Sequence, residues 1–183
     1  PTKASRSSFA KRANELGLGP CKAHASLNAL INAKNVDALW ILSPNYVRIE
    51  TMKAINKAVK AGKRLRGIAC EKPLARNLAE AKEVVRLARD AKLPTGYLEN
   101  QVFSTAVQRG KEIIWRRAVP LTGRPYLARA AEEHSGPHMP WFWQGDKQGG
   151  GVLSDMMCHS VEVARYMLTA PDEPRNALKV KSA

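Results

Sequence analysis

Between residues 37 and 99 the sequence alternates short apolar runs with longer amphipathic segments. The apolar runs cover 37–42, 65–70 and 95–99, and in the intervening segments 47–61 and 78–91 apolar residues recur at helical spacing. Strands and helices that alternate through short links are typical of parallel strands joined by crossover helices. The predicted fold class is therefore α/β, and the run at 37–42 suits a strand that is buried on both faces.

The residues before this region predict three more elements. A helix is expected over 4–17, with Phe9 on its apolar stripe and a glycine at its end. Cys21–Ala25 is predicted to form a short strand, and Ser26 to be the N-cap of a short helix over 27–33.

After residue 101 the pattern changes. Helical spacing predicts a helix over 104–117, and alternating side chains predict a strand over 124–133. The segment 134–143 contains two prolines and a glycine together with three aromatic residues and two histidines, so it is predicted to be an irregular loop. A final helix is predicted over 152–168, directly after three glycines that would allow a close backbone approach.

Polar residues follow each of the three predicted strands, at 43–45, 71–73 and 99–101. Ligands of open α/β sheets bind beyond the carboxyl ends of the strands, so these three segments can line one ligand edge. The alternative is that their proline, serine and asparagine residues only make turns. Lys72 is harder to explain as a turn residue, because a lysine that leaves a buried strand can be partly desolvated and then suits acid–base chemistry.

Asp155 and His159 lie four residues apart in the predicted helix that follows the glycines. Residues at this spacing share a helix face, so the carboxylate could orient or charge the imidazole. Such pairs are also common on solvated helices. Cys158 is interpreted as a structural thiol, because adjacent helical residues diverge by about 100° and Cys158 would not cooperate with His159.

In their order and spacing these motifs resemble the Gfo/Idh/MocA family of NAD(P)-dependent oxidoreductases. The matching residues are Val36–Ile41 leading into Ser43-Pro44-Asn45, Ala61-Gly62-Lys63, Glu71-Lys72-Pro73-Leu74-Ala75, and Gly149-Gly150-Gly151 followed by Asp155 and His159. The resemblance extends from the first helix to about residue 168 and implies a partial Rossmann-type parallel sheet, followed by the start of an α+β catalytic domain. The expected domains are a partial dinucleotide-binding domain at 1–101 and a partial catalytic, substrate-binding domain at 102–183.

The resemblance also implies an activity and a set of site residues. The implied reaction is hydride transfer between a sugar, sugar derivative or cyclitol and NAD or NADP. The implied catalytic residues are Lys72 and His159, which share the proton transfer, and Asp155, which orients the substrate. The implied cofactor-binding residues are Ser43, Pro44, Asn45, Glu71, Lys72, Asn100 and Trp141. The expected substrate-binding residues are His138, Trp143, Asp155 and His159.

Two of these residues, His138 and Trp143, come from the aromatic loop. Flat rings in such a loop would cover the apolar face of a sugar or cyclitol, and the alternative is that the loop only packs its aromatic residues onto the domain. The two histidines of the loop, His134 and His138, lie on either side of a Gly-Pro pair and not on a helix, so no metal site is predicted.

The sequence departs from the family pattern in several places. Arg48 stands where many relatives have histidine, and Phe142 stands where some have arginine. Either change could alter the contacts to the cofactor or the preference for one cofactor over another. No G-x-G-x-x-G occurs, and no acidic residue follows a second strand to hold the ribose. The 183 residues are therefore expected to be the interior of a longer protein or a natural remnant, with weak cofactor binding and weak or no activity alone. A further possibility is that a partner chain supplies the missing strands.

The charge balance keeps one other function class open, a non-enzymatic basic remnant or scaffold with weak nucleic-acid binding. Thirty Lys and Arg residues against sixteen Asp and Glu residues give a formal net charge of +14. The cations are spread over helices, and no RNA-binding signature or zinc-finger spacing accompanies them, so nucleic acid is not the expected partner. The expected partner is a small polyol or sugar, with no membrane contact, and the full-length form is expected to be a homo-oligomer.

Three widely spaced cysteines form no disulfide framework, which fits a cytoplasmic protein. The sequence also has no apolar run of about 20 residues, so a soluble protein is expected.

Overall fold

The computed structural model describes residues 2–182 and contains a three-stranded parallel sheet with helices before, between and after the strands. The regular elements are α1 (Lys3–Glu15), α2 (Leu27–Ile31), β1 (Ala38–Ile41), α3 (Arg48–Lys60), β2 (Gly67–Glu71), α4 (Leu78–Ala91), β3 (Thr95–Leu98), α5 (Thr105–Ile113), α6 (Val119–Thr122), α7 (Gly145–Gln148), α8 (Gly151–Asp155) and α9 (Met157–Leu168). The strand order is β1-β2-β3, and both pairs are parallel. The α/β fold class and the strand–helix alternation are confirmed.

The hydrophobic core lies between one face of this sheet and the helices α2, α3 and α4. Its members are the buried residues Ile31, Leu39, Ile41, Met52, Ile55, Leu65, Ile68, Cys70, Val84 and Leu87. Burial of a side chain of this size stabilises a fold by about 1.5–3 kcal/mol. The helical spacing of the apolar residues in α3 and α4 therefore has a direct cause, because only the stripe that faces the sheet is removed from water.

Local signals in the sequence place several element ends. Ser26 is confirmed as the N-cap of α2, where its Oγ accepts a hydrogen bond from the backbone N–H of Ala29 at 3.1 Å. Gly62 has a φ of +96° and ends the α3 region, as predicted, because this conformation is difficult for any residue with a Cβ atom. Asn77 caps α4 in the same way as Ser26 caps α2, by accepting from the N–H of Glu80 at 3.0 Å.

The prediction that β1 is buried on both faces is wrong. Leu39 and Ile41 point into the core, whereas Trp40, on the opposite face, is 65% exposed and Ala38 is also exposed. The described helices that contribute to the core cover only the Leu39 and Ile41 face, so the alternate residues of the apolar run remain in contact with solvent.

Two predicted strands and one predicted apolar stripe are also wrong. Cys21–Ala25 has no strand structure, and 124–133 has no regular secondary structure and pairs with no strand among residues 2–182. An alternating side-chain pattern defines a strand only when a neighbour supplies the backbone hydrogen bonds. Phe9 is 72% exposed, and the buried residue of α1 is Ala10.

The second half of the chain is held together by contacts between α9 and the helix around Trp115. After α5 the helix widens into a π-helical segment, Ile114–Ala118, and continues as α6, so the predicted helix over 104–117 is longer and less regular than expected. The indole N–H of Trp115 donates to the carbonyl of Met167 at 2.9 Å. Lys111 Nζ donates to the carbonyl of Tyr166 at 2.7 Å and lies over the Tyr166 ring.

Candidate active site

Lys72 and Asp155 form an ion pair at the carboxyl edge of the sheet. Lys72 directly follows β2, and its Nζ lies 2.9 Å from Asp155 Oδ1 and 2.8 Å from the backbone carbonyl oxygen of Asp155. The two side chains are only 19% and 18% exposed. A residue that follows a core strand and the last residue of α8, 83 positions later, therefore meet at one point.

Arg48 holds the strand ends around this lysine. Its guanidinium is buried and donates to the backbone carbonyls of Ser43 and Lys72, each at 3.1 Å, and also to that of Glu71. These acceptors lie beyond β1 and at the end of β2, so one side chain ties both segments together. The residue noted as a departure from the family pattern thus uses its N–H groups inside the protein, next to the candidate site.

His159 pairs with Glu99 and not with Asp155. The Nδ1 atom of His159 lies 2.9 Å from Glu99 Oε2 and also contacts Oε1, and both side chains are 6% exposed. No hydrogen bond joins Asp155 to His159 within the described part of the chain, residues 2–182. The prediction that Asp155 orients the imidazole from the same helix face is therefore wrong, because Asp155 is occupied by Lys72.

The predicted helix over 152–168 is interrupted at one residue. Its first turn, α8, ends at Asp155, and α9 starts at Met157 after a turn at Met156. The backbone stays in the right-handed helical region at Met156, and Asp155 and His159 reach the ends of two neighbouring strands. Asp155 faces the end of β2, and His159 faces the end of β3.

Glu99 is the main site residue that the sequence analysis missed. It directly follows β3, in the polar segment predicted to line the ligand edge, but only Asn100 was selected from that segment. An acidic residue at the end of a core strand was an available signal. Its partner His159 lies 60 positions away, so the pairing could not be read from local spacing.

The glycine run allows the close backbone approach that was predicted. Gly149 has a φ of +95°, and a Cβ atom placed on it would lie 2.2 Å from the carbonyl oxygen of Arg76. Next to it, the fully buried Gln148 accepts at its carbonyl a hydrogen bond from Asn45 Nδ2 at 2.9 Å. Arg76 completes the junction by donating to the carbonyl of Asp146. The strand ends and the 145–155 region are therefore in direct contact.

The other predicted cofactor-binding residues have different surroundings. Ser43 Oγ is buried without a hydrogen-bond partner among residues 2–182. The side-chain amide of Asn45, in contrast, donates to the backbone carbonyl of Gln148. Glu71 accepts the backbone N–H of Lys72 at 3.0 Å, and Asn100 is exposed. Pro44 lies between Ser43 and Asn45 and is partly buried.

Trp141 is brought to the end of β1, while the two loop residues predicted to bind substrate are mainly exposed. The Trp141 ring packs edge-on against Tyr46 at a centroid distance of 6.0 Å and stacks on Phe142 at 3.9 Å. Trp143 is 77% exposed, and His138 is exposed and stacks on His134.

The strand ends fit the polar groups of a dinucleotide. A buried hydroxyl without a partner, as at Ser43, is rare in folded proteins and is satisfied when a ligand supplies a donor or acceptor. Asn100 offers an exposed amide at the neighbouring strand end. The pyrophosphate cradle of dinucleotide-binding proteins is a glycine loop at a helix N-terminus, and the sequence has no G-x-G-x-x-G loop of that kind.

Two groups near Asp155 and Glu99, Cys158 and Tyr97, have raised pKa values. Burial raises the pKa of the Cys158 thiol, whose Sγ–H donates to the carbonyl of Asp155 at 3.3 Å. Partial burial, and then the negative charges of Cys158 and Glu99, raises the pKa of Tyr97 to about 12, while 49% of this residue remains exposed. Cys158 is thus held as a protonated thiol at neutral pH, in line with its interpretation as a structural residue.

This arrangement can move a proton and hold an oxygen atom. An ammonium group has three N–H donors, and Lys72 uses two of them on Asp155, so one is left for a ligand oxygen. His159 uses Nδ1 on Glu99, so Nε2 is its remaining nitrogen. A lysine and a histidine at one ligand edge are the groups that general acid–base catalysis on a hydroxyl or carbonyl requires.

Acid–base side chains beyond the carboxyl strand ends of a parallel sheet lie where open α/β proteins bind their ligands. Residues 2–97, just over half of the chain, match the model of the GFO/IDH/MocA oxidoreductase family with its NAD-binding Rossmann fold, and 121–178 match the C-terminal domain model of the same family. The chain belongs to the GFO/IDH/MocA family of oxidoreductases.

Individual relatives agree with this assignment. A 1,5-anhydro-D-fructose reductase from Ensifer adhaerens is 31% identical over 170 residues, which cover 92% of this chain and 47% of the relative. A myo-inositol 2-dehydrogenase from Thermotoga maritima is 29% identical over 154 residues, covering 82% of this chain and 42% of that enzyme. The solved structure of a levoglucosan dehydrogenase in complex with NADH and levoglucosan superposes with a TM-score of 0.64 at 25% identity, covering 88% of this chain and 42% of that one.

The chain spans about half the length of the curated relatives it matches. Within residues 2–182, no helix is both long and apolar enough to cross a membrane. The same residues contain no group of three or more His, Cys, Asp and Glu side chains that could hold a metal ion.

Proposed function

We propose that this chain provides the acid–base half of an NAD-dependent oxidoreductase that acts on a CH–OH group of a sugar, sugar derivative or cyclitol. One observation carries the proposal: the Lys72–Asp155 and His159–Glu99 pairs converge from distant parts of the sequence at the carboxyl edge of a family-typical sheet. Two buried or half-buried ionisable pairs at a ligand edge are costly to a fold, and such groups cluster at functional sites.

The substrate class is supported by the names of the relatives. The curated relatives are named for 1,5-anhydro-D-fructose and myo-inositol, and the solved relative contains levoglucosan. All three are rings that carry several hydroxyl groups. We assign this class to the present protein, with His138 and Trp143 of the aromatic loop as further substrate contacts.

In the proposed reaction Lys72 binds the substrate oxygen through its third N–H and stabilises negative charge on it. His159 takes the hydroxyl proton at Nε2 when the alcohol is oxidised and returns it when a ketone is reduced. Asp155 holds the ammonium of Lys72 in place and contacts the substrate. Because the pairs hold these side chains before a ligand arrives, little reorganisation is needed at the moment of proton transfer.

The bound nicotinamide supplies the hydride acceptor in the oxidative direction. The residues proposed to contact NAD are Ser43, Pro44, Asn45, Glu71, Lys72, Asn100 and Trp141. We assign cofactor binding to residues 1–101 and most substrate contacts to residues 102–183. Since the sequence has no glycine loop for the pyrophosphate, we expect the 183-residue chain alone to bind NAD weakly and to have weak or no activity.

The decisive experiment measures reduction of NAD by myo-inositol, levoglucosan and related polyols, and oxidation of NADH by 1,5-anhydro-D-fructose. It uses the 183-residue chain and the longest natural polypeptide that contains it. Lys72→Met and His159→Asn are each expected to lower kcat by about 10²–10⁴-fold, the usual contribution of a positioned acid or base. Lys82→Met is the matched control, because Lys82 is exposed on α4 and lies outside the site.

Calorimetry with NAD on the same proteins measures cofactor binding separately from turnover. Absence of hydride transfer with every polyol in the longer polypeptide would contradict the proposal. So would turnover that is unchanged by Lys72→Met and His159→Asn. Salt-sensitive binding to DNA that does not change in Lys72→Met would instead support the basic-scaffold alternative.

A further inference from the structure

We infer that Glu99 is the positioning residue that fixes the tautomer of His159 and thereby makes Nε2 the nitrogen that exchanges a proton with the substrate. The inference deepens the proposed function and rests on it for the role of Nε2. The pairing of the two side chains stands on the structure alone, and the direction of their hydrogen bond is the inference.

The two side chains are held from different parts of the fold. Glu99 directly follows β3, and His159 lies in the first turn of α9. Nδ1 is 2.9 Å from Oε2 and also contacts Oε1, so the imidazole faces the carboxylate with both oxygens in reach. With only 6% of each side chain exposed, water cannot readily replace either partner.

The surroundings of Glu99 support His159 as the donor. Its Oε1 already accepts the backbone N–H of Gln101 at 3.0 Å, so this oxygen acts as an acceptor. The Gln101 side chain in turn donates to Glu132 Oε1 at 3.2 Å, which fixes the segment around the carboxylate. An ionised carboxylate has only acceptors, so in the proposed arrangement Nδ1 carries the proton that joins the pair.

A proton on Nδ1 leaves the lone pair of neutral His159 on Nε2. The proton gained or lost during turnover then resides on Nε2, while Nδ1–H stays in its bond to Glu99. In functional sites a carboxylate behind an imidazole commonly fixes both ring orientation and tautomer in this way.

No other described carboxylate takes the place of Glu99. Asp155, the acid four residues before His159, is bound to Lys72. Loss of the Glu99 carboxylate therefore leaves the Nδ1 position without its acceptor.

The test is a long-range ¹H–¹⁵N NMR experiment on the histidine rings of the 183-residue chain, which reports the tautomer without any need for activity. Of the four histidines, the His159 signals are assigned by their loss in His159→Asn. We expect neutral His159 in the wild type to be protonated at Nδ1. In Glu99→Gln the amide can donate or accept, so the preference for Nδ1–H should be lost, and Glu99→Asp should restore it in part.

Glu162→Gln is the matched control, because Glu162 also lies in this region of α9 but pairs with Arg165. It should leave the His159 spectrum unchanged. Protonation of neutral wild-type His159 at Nε2 would overturn the inference. The same conclusion would follow if Glu99→Gln, shown by thermal unfolding to be folded, kept the wild-type tautomer.

Turnover then separates this inference from the proposed function. In a form of the protein that transfers hydride, Glu99→Gln should lower kcat by about 10–10²-fold with little change in KM, as removal of an orienting partner does. If His159 has the expected tautomer but no form transfers hydride, the proposed function fails and the positioning stands. If turnover depends on His159 but not on Glu99, the inference fails and the proposed function stands.

Discussion

Replacement of Gly149 by alanine should separate the two halves of the candidate site. A Cβ at this position would lie 2.2 Å from the carbonyl oxygen, 2.7 Å from Cα and 2.8 Å from the carbonyl carbon of Arg76. All three are backbone atoms, so a side chain cannot simply rotate away. The φ of +95° is an added cost, because residues with a Cβ atom rarely adopt it.

Two contributions set the size of the effect. A non-glycine residue in such a conformation costs about 1–3 kcal/mol. Overpacking against backbone adds about 1–3 kcal/mol, so Gly149→Ala should lower the free energy of unfolding by about 2–6 kcal/mol. If the chain relieves the clash locally, the 145–155 region moves away from Arg76 and takes Asp155 away from Lys72.

The assay is urea unfolding followed by circular dichroism and by tryptophan fluorescence, with amide hydrogen exchange across 145–155 to detect local opening. Gly145→Ala is the matched control, since a Cβ there meets no atom within 4 Å and its φ is not positive. The control should change stability by no more than about 0.5 kcal/mol. Equal unfolding midpoints and equal exchange rates for the two variants would refute the argument that this close approach holds the site together.

Two further predictions concern groups around the site. Arg48→Met should lower the free energy of unfolding by about 2–5 kcal/mol, because three partly buried carbonyl acceptors lose their donor. Urea unfolding measures this loss against the exposed control Lys53→Met, and equal losses for the two variants would contradict the prediction. Tyr97, with an ordinary pKa of 10.0 and a folded pKa of about 12, keeps its proton in the native state after the unfolded chain has released it. The native state then binds more protons, so stability should fall as pH rises from about 10 to 12. The fall in the free energy of unfolding across this pH range should be smaller in Tyr97→Phe and unchanged in Tyr126→Phe. Identical pH profiles for the two variants would contradict the attribution to Tyr97.

Much of the first half of the fold could be predicted from the sequence because its signals are local. Apolar spacing indicated β1, α3, β2, α4 and β3, and a serine and a glycine marked the ends of helices correctly. Each of these signals acts within one or two turns of backbone and needs no distant partner. The same holds for the polar residues beyond the strands, because parallel strands bring their carboxyl ends to one edge.

The errors occurred where a local pattern needed a distant partner. The alternation at 124–133 resembles a strand, but no described strand pairs with it. The apolar run at β1 suggested burial on both faces, yet the core covers only the face that contains Leu39 and Ile41. Periodicity reports which side chains can be buried together, and the surrounding elements determine whether they are.

The sequence by itself determined the α/β class, the family and the chemical types present at the ligand edge, including Lys72, Asp155 and His159. Only the tertiary structure decided how they pair. Lys72 meets Asp155 across 83 residues and Glu99 meets His159 across 60, so the two residues that spacing had joined have different partners. Helical spacing shows which residues can share a face, whereas these pairings depend on how the 145–159 region packs against the strand ends.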